Sequence, residues 1–190
     1  MNRGKHSSVR IFTVGHSTHP INEFVQILKA YKLKLVIDIR TIPKSRHNPQ
    51  FNGDRLAKTL AKQNIEYVHM AGLGGLRHSS KTSVNKAWRN LSFRGYADYM
   101  ATPEFAEARA ELLAEAQARC TVIMCAESVW WRCHRRLIAD AVVLLDRPPL
   151  PHLFPHAPLA PHPPRPVPPP AAPPPASDPP VPPPLDPCLK

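Results

Sequence analysis

Short apolar runs in the first 145 residues predict a set of β-strands. Four such runs, rich in β-branched and aromatic residues, span Val9–Gly15, Lys34–Arg40, Ile65–His69 and Thr121–Cys125. The runs are nearly continuous rather than strictly alternating, which is typical of parallel strands covered on both faces. We therefore expect a parallel sheet buried between two layers.

Apolar residues at helical spacing follow these strands. One helix is predicted to begin after Pro20, a second to run from a cap at Asn52 to about Gln63, and a short aromatic helix to span residues 93–100. Thr102 starts another, because it is a capping residue followed by proline and an acid. Strands and helices in this order predict a three-layer, Rossmann-like α/β domain with a mainly parallel sheet.

The last apolar stripe follows the fourth strand. A turn through Glu127 and Ser128 is predicted to lead into a single helix. Its buried face consists of residues at i, i+3, i+4, i+7 spacing, namely Trp130, Cys133, His134, Leu137, Ile138, Ala141 and Leu145. On this stripe Cys133 is either a buried structural thiol or part of a site, and the pattern leaves both open.

Composition changes abruptly near Arg147. Of 25 prolines, 21 lie from Pro148 onward, whereas all seven glycines lie before it. Proline removes backbone donors and interrupts helices and sheets, so such a segment cannot build a regular core. We therefore predict an α/β domain over residues 9–147 and a disordered, proline-rich tail over residues 148–190, whose removal should leave the fold largely intact.

Chemically active side chains concentrate where the predicted strands end. The carboxyl ends of parallel strands meet at one edge of the sheet, where α/β proteins bind ligands, so we expect these side chains to share a pocket. The candidate catalytic residues are Glu127, Cys133, His134, His16 and Asp38. The candidate ligand-binding residues are Ser17, Arg40, Ser45, Cys125 and Arg135.

Simpler structural roles stay open for several of these residues. Ser17 is in a position to cap the first helix, and Asp38 and Arg40 can pair with neighbours across the pocket. The arginines at 132–136 lie near the predicted helix start, where the macrodipole disfavours cations. Either Glu127 or a bound phosphate-like anion would resolve this conflict.

A glycine-rich stretch follows the third strand. The sequence AGLGGLR at 71–77 looks like a phosphate-binding loop, but it lacks the GxGxxG and GxxxxGK spacings that define such loops. Its glycines therefore predict a tight turn or a close approach of the backbone to a neighbour.

The charge and cysteine content limit the partners and the compartment. The net charge of +11 and the isoelectric point near 9.9 favour an anionic small molecule or nucleic acid, with a generally basic proteome as the alternative. No apolar leader opens the chain, no run reaches the roughly 18 residues of a membrane span, and the four cysteines lack framework spacing. These features predict a reduced, cytoplasmic protein with free thiols. They identify neither a cofactor nor a protein partner for the tail.

Five segments together carry a resemblance to a known family. They are VGHST at 14–18, DIRTIPKSRHNPQF at 38–51, GLGG at 72–75, FRGYADYM at 93–100 and MCAESVWWRCHRRLIAD at 124–140. Through this combination, above all CAE followed by CHR, residues 10–145 resemble the bacterial and archaeal family called domain of unknown function 488. The resemblance implies a compact Rossmann-like domain and a pocket, with no reaction attached.

The resemblance also implies a short strand and a basic end after the CHR helix. This chain continues instead into LLDRPPLPHLFPHAPLAPHPP. A frameshift or a degraded terminus would explain this departure better than an evolved SH3-type ligand, because proline this abundant produces PxxP patterns by chance.

Two classes of function fit the expected pocket. The first is an enzyme, a hydrolase or transferase acting on a phosphorylated or nucleic-acid substrate, in which arginines hold the anion and Glu127 or His16 moves protons. A phosphatase-like cysteine loop does not fit, because six residues rather than five separate Cys125 from Arg132. The alternative is a non-catalytic nucleotide or nucleic-acid binding module, for which Trp131 is the aromatic residue expected to be exposed.

A metal site is a further chemical interpretation. Cys125, Cys133 and His134, with His16 or His69, offer the soft ligands that zinc accepts. Cys133 and His134 are adjacent, however, which is a poor geometry for both to bind one ion. We therefore assign no metal ligand from the sequence.

Overall fold

A five-stranded sheet forms the centre of the protein in a computed structural model that describes residues 11–146 and 150–153. The strands are β1 Ile11–Gly15, β2 Leu35–Asp38, β3 Glu66–His69, β4 Thr121–Cys125 and β5 His152–Leu153. Their order across the sheet is β3-β2-β4-β1-β5, and every neighbouring pair is parallel. The predicted α/β class with a mainly parallel sheet is therefore confirmed.

Five α-helices of the described residues surround this sheet. They are α1 Ile21–Ala30, α2 Gly53–Ala61, α3 Leu91–Tyr99, α4 Pro103–Ala118 and α5 Arg135–Ala141. The predicted start of α4 is confirmed, because the Thr102 hydroxyl accepts the N–H of Phe105 at 3.4 Å. Asn52 does lie at the N-cap of α2, but its side chain accepts from the Ser45 N–H instead of capping the helix.

Two separate apolar cores lie on opposite faces of the sheet. On one face α1 and α2 cover alternate strand residues, including Val14, Val36 and Met124. On the other face α3, α4 and α5 cover the residues between them, including Ile37 and Ile123. This alternation explains why the strands read as continuous apolar runs, because both faces of every central strand are buried.

The fifth strand lies beyond the boundary expected at residue 147. His152–Leu153 pairs with β1, and the N–H of Thr13 donates to the Pro151 carbonyl at 3.0 Å. Leu150 and Leu153 are 3% and 2% exposed. The predicted disorder from residue 148 onward therefore does not hold for residues 150–153, since a two-residue strand needs little sequence signal. Residues 154–190 lie outside the described part of the chain.

The strand order predicts a ligand-binding crevice at the carboxyl end of β4. The strands on either side of it, β1 and β2, lead into α1 and α2 on one face, whereas β4 leads into α5 on the other face. Where neighbouring strands send their connections to opposite faces, the loops separate and a ligand-binding crevice forms. The candidate site residues gather around this point.

Removing β5 should destabilise the domain, contrary to the sequence-based expectation that loss of residues 148–190 leaves the fold largely intact. A chain ending at residue 147 loses the burial of Leu150 and Leu153, and each buried leucine contributes roughly 1.5–3 kcal/mol. A chain ending at residue 156 keeps both. We expect the shorter chain to unfold at a clearly lower urea concentration than the longer one, measured by circular dichroism. Equal midpoints for the two truncated chains would show that β5 does not contribute to stability.

Candidate functional site

The segment between β4 and α5 departs from the predicted single helix. Trp130–Arg132 forms one 3-10 turn, Cys133 is extended with φ −120° and ψ 152°, and α5 begins only at Arg135. The Trp130 indole stacks on the His152 ring of β5, with centroids 4.1 Å apart. This long-range contact replaces the helical turn that local periodicity predicts.

The predicted buried stripe is only partly correct for the same reason. Cys133, Leu137 and Ile138 are buried as expected. Leu145, in contrast, is 58% exposed, because a π-helical turn at Val142–Asp146 rotates the chain away from the α-helical register.

Asp38 and Arg40 form a buried ion pair at the end of β2. The Arg40 guanidinium donates from Nε to Asp38 Oδ1 at 2.8 Å and from Nη2 to Oδ2 at 2.5 Å. Tyr67 donates its hydroxyl to Asp38 Oδ2 at 2.7 Å, and Arg40 Nη2 also reaches the Phe51 carbonyl at 2.7 Å. Burial lowers the pKa of Arg40, but its bonds to Asp38 outweigh burial and leave the pKa raised. Arg40 is therefore charged and already has internal partners.

His16 completes this network as a neutral imidazole. Its Nε2 lies 3.2 Å from Arg40 Nη1, which can only donate, so Nε2 is the acceptor and Nδ1–H donates to the Ser17 carbonyl at 2.8 Å. The ring stacks on Phe51 at 4.2 Å. Burial, with a contribution from Arg40, lowers the pKa of His16 to about 4.

Cys125, Cys133 and His134 form a second group beside this network. The Cys133 and Cys125 sulfurs lie 3.6 and 4.0 Å from His134 Nδ1, and the three potential ligand atoms all lie within 4.8 Å of one another. On its other side, His134 Nε2–H donates to the Ile39 carbonyl at 3.1 Å. The two groups meet at residue 39, which lies between Asp38 and Arg40.

The two sulfurs differ in protonation. Contact with Cys125 holds the pKa of Cys133 well below its usual range, and the positive charge of Arg135 favours the thiolate further. The same contact, together with burial, raises the pKa of Cys125. These shifts favour the thiolate at Cys133 over that at Cys125, and both side chains are buried, with exposures of 8% for Cys125 and 4% for Cys133.

Arg135 is a buried cation, only 1% exposed. Its guanidinium donates to the carbonyls of Glu127 and Ser128 and lies 3.5 Å from Thr13 Oγ1. Gly15 permits this packing, since a Cβ there would lie 2.9 Å from Arg135 Nη2 and would overlap the Glu127 backbone. Within residues 11–146 and 150–153, Arg135 has no carboxylate partner.

The remaining predicted site residues lie at the rim of the crevice. Glu127 is exposed, and its carboxylate accepts the N–H of Val129 at 3.4 Å. Ser17 adopts φ +46° and donates its N–H to the Ala126 carbonyl at 3.0 Å, so it joins the β1 and β4 loops. Ser45 organises its own loop by accepting the Asn48 N–H at 3.0 Å.

Several contributors to the site have no strong sequence signal. Tyr67 and Phe51 complete the Asp38–Arg40 network, although their sequence positions predict ordinary packing. Gly75 lies against the His134 ring, where a Cβ would lie 2.5 Å from Nδ1, so the expected close backbone approach is found here. His69 is not part of the cysteine–histidine group, and its Nε2–H donates to the Arg40 carbonyl at 2.7 Å.

Two expectations about single residues have clear outcomes. Trp131 is 48% exposed, as predicted. Cys125 and Cys133 are free thiols, but Cys120 is disulfide-bonded, so the expectation of free thiols is wrong for Cys120.

Across the described residues, no helix has both the length and the apolar character that crossing a membrane requires.

The fold and site define a class: a parallel α/β domain with a thiol–imidazole cluster at the carboxyl edge of its sheet. Residues 20–142 match the family described as Domain of unknown function DUF488. The match covers more than half of the chain, so the protein belongs to this family, as its motifs indicated. Comparison with curated proteins and with solved structures finds no match.

The buried neutral state of His16 should make stability depend on pH. The pKa of His16 is about 4 in the folded protein and 6.5 in an unfolded chain, so protons bind the unfolded chain first as the pH falls. Stability should be unaffected by His16 above about pH 6.5 and should decrease by roughly 3 kcal/mol towards about pH 4. In His16→Gln, which keeps an acceptor for Arg40, this part of the pH dependence should disappear. Urea unfolding of both proteins across this range tests the prediction, and parallel curves would contradict it.

Proposed function

We propose that the carboxyl edge of the sheet binds a phosphorylated or nucleic-acid ligand, on which the cysteine–histidine cluster acts. The observation that carries this proposal is the charge on the loops that leave β2, β3 and β4. They present one exposed carboxylate, Glu127, against six exposed cations, Lys44, Arg46, Lys81, Lys86, Arg89 and Arg132. Such an imbalance raises the local concentration of anions and orients them towards the crevice.

The exposed cations, rather than the buried arginines, are suited to hold the anion. Arg40 is bonded to Asp38, and Arg135 donates to backbone carbonyls. Lys44 and Arg46 lie on the loop after β2, and Arg132 on the loop after β4, so the loops that leave two neighbouring strands at this edge both carry exposed cations. We therefore assign positioning of the site to Arg40 and Arg135, and ligand contact to the loop cations.

An exposed aromatic residue favours a ligand that carries a base. Trp131 is 48% exposed and stands next to Arg132 in the chain. Nucleobases stack on aromatic rings of this kind, while a neighbouring cation contacts the phosphate. This pairing supports a nucleotide or a single strand of nucleic acid within the broader class of phosphorylated ligands.

The chemistry on such a ligand would be hydrolysis or group transfer. Glu127 is the exposed carboxylate of the crevice and is the group we assign to general acid–base catalysis. Cys133 and His134 are assigned to the reacting centre, with Cys125 and Asp38 supporting them. His16 is neutral, but Arg40 occupies its Nε2, so its role in proton transfer requires that contact to open.

Reversing the loop charges should weaken binding selectively. We expect the triple variant Lys44→Glu, Arg46→Glu, Arg132→Glu to bind a fluorescent single-stranded oligonucleotide at least about tenfold more weakly. For this variant the slope of log affinity against log salt concentration should also become less steep by about two, because roughly 0.7 counterions are released per phosphate contact on a single strand and three contacts are lost. Fluorescence anisotropy at several salt concentrations measures both quantities.

A matched control separates a local site from total charge. Lys29→Glu, Lys58→Glu, Lys62→Glu changes the net charge equally, but Lys29 and Lys58 lie on the helices α1 and α2 and Lys62 follows α2. We expect this control to keep most of the affinity. Equal weakening in the two triple variants would refute a binding site at the carboxyl edge.

A specific observation also favours the non-catalytic alternative. Cys125 and Cys133 are 8% and 4% exposed, and the Arg40 contact occupies His16, so the reactive groups are enclosed in this conformation. A nucleotide or nucleic-acid binding module would need only the exposed cations and Trp131. In that case the buried cluster serves the structure, and ligand contact is confined to the rim.

Glu127 distinguishes the enzyme from the binding module. Because its carboxylate is exposed, Glu127→Gln should leave the fold intact. For an enzyme we expect affinity for a hydrolysable nucleotide or oligonucleotide to be retained and turnover to fall by about a hundredfold or more. Product analysis by chromatography beside the anisotropy measurement provides both readouts. Bound ligand without turnover in the unsubstituted protein would favour the binding module.

A further inference from the structure

We propose that Cys125, Cys133 and His134 form a zinc site with three protein ligands and an exchangeable fourth position. In tetrahedral zinc sites, Zn–S distances near 2.3 Å and Zn–N distances near 2.0 Å place sulfur and nitrogen about 3.5 Å apart. The sulfurs of Cys133 and Cys125 lie 3.6 and 4.0 Å from His134 Nδ1. Shifts of a few tenths of an ångström would bring each sulfur to a zinc-binding separation from Nδ1, and all three ligand atoms lie within 4.8 Å of one another. The proposal does not depend on anion binding at the loops.

The orientation of His134 suits a metal ligand. The Ile39 carbonyl can only accept a hydrogen bond, so His134 Nε2 carries the hydrogen and the Nδ1 lone pair faces the two sulfurs. Histidines that bind metals commonly donate their other N–H to a carbonyl or carboxylate, which fixes the tautomer and the ring orientation. The Asp38–Arg40 pair on either side of residue 39 holds that carbonyl in place.

The backbone explains how adjacent residues reach one point. Cys133 is extended, with ψ 152°, whereas His134 is in the right-handed helical region, with φ −60° and ψ −17°. This change of conformation turns both side chains towards Cys125, which a continuous helix would not do. The N–H of Arg135 then donates to the Cys133 sulfur at 3.5 Å, a contact that stabilises a thiolate ligand.

The donor set selects the metal and leaves one position open. Two sulfurs and one imidazole nitrogen are soft or borderline ligands, which favour zinc over magnesium or calcium. No fourth side chain of a suitable type joins the group within the described ranges 11–146 and 150–153. Three protein ligands with a fourth position for water or substrate is the arrangement of catalytic rather than structural zinc sites.

Gly75 is a positioning residue in this proposal. A Cβ at residue 75 would lie 2.5 Å from Nδ1 and 2.7 Å from Cγ of His134. The backbone of Gly75 does not have positive φ, so alanine is conformationally allowed there and only the contact with the ring is affected. Gly75→Ala should therefore displace the imidazole from the sulfurs while leaving the rest of the fold in place.

Cobalt substitution gives a direct test, because Co²⁺ takes the place of zinc and its thiolate bonds absorb in the near ultraviolet. The full chain is kept reduced, stripped with a chelator and titrated with Co²⁺ and then Zn²⁺. We expect one Co²⁺ per chain, a thiolate-to-cobalt charge-transfer band, and loss of that band when Zn²⁺ is added. The band should vanish in Cys125→Ser and Cys133→Ser. In His134→Ala and Gly75→Ala the band should shift, or the affinity for Co²⁺ should fall at least tenfold.

The chain offers a matched control for the cysteines. The double variant Cys120→Ser, Cys188→Ser retains only the two cluster thiols and should bind Co²⁺ like the unsubstituted protein. In that background, one equivalent of Zn²⁺ should protect both thiols from alkylation, as measured by mass spectrometry. This second measurement does not need a substituted site, so it stands even where a cluster variant fails to fold.

The outcomes separate a metal site from a thiol–imidazole pair that binds no metal. A single Co²⁺ per chain with thiolate bands that depend on the cluster, and alkylation blocked by Zn²⁺, supports the proposal. Absence of a thiolate band, a band that persists in folded Cys133→Ser, or alkylation unaffected by Zn²⁺ overturns it. None of these measurements involves an anionic ligand, so the result is independent of whether the loop cations bind one.

Discussion

The buried ion pair between Asp38 and Arg40 is the interaction on which the rest of the site depends. A buried pair is stable only when its remaining donors and acceptors are satisfied, because desolvating two charges costs several kcal/mol per ion. Tyr67 and the Phe51 carbonyl satisfy them here, at 2.7 Å each. The pair therefore fastens the loop after β2 back onto the sheet, and it leaves the carbonyl of residue 39 directed at His134.

The Asp38–Arg40 pair determines which ring nitrogen carries the hydrogen in two histidines, Nδ1 in His16 and Nε2 in His134. Arg40 places a donor against Nε2 of His16, so that imidazole must stay neutral and its proton lies on Nδ1. The carbonyl of Ile39 takes the Nε2 proton of His134 and directs its Nδ1 lone pair at the sulfurs. One histidine thus supports the scaffold, and the other presents an unprotonated nitrogen to the crevice. Both assignments follow from whether the neighbouring group can donate or only accept.

Local sequence patterns predict the fold better than they predict the site. Strands β2 and β4 follow from continuous apolar runs, and the start of α4 follows from Thr102, because each of these signals acts within a few residues. The predicted start of the last helix was wrong because Trp130 stacks on His152, which is distant in sequence. The adjacency of Cys133 and His134 counted against a metal for the same reason, since the backbone change between them is set by long-range packing and not by periodicity.

The charges of the site lead to a final constraint on its chemistry. Arg40 is balanced by Asp38, whereas Arg135 has no carboxylate partner among residues 11–146 and 150–153; its guanidinium donates to the Glu127 and Ser128 carbonyls and its backbone N–H to the Cys133 sulfur. With one of its two thiols ionised, the empty cluster would carry one negative charge. Two thiolates around Zn²⁺ with one anionic fourth ligand would carry the same net charge, with the thiol proton released. Loading the site would therefore leave its charge beside Arg135 unchanged, and an anion rather than a neutral ligand in the open position would preserve that balance.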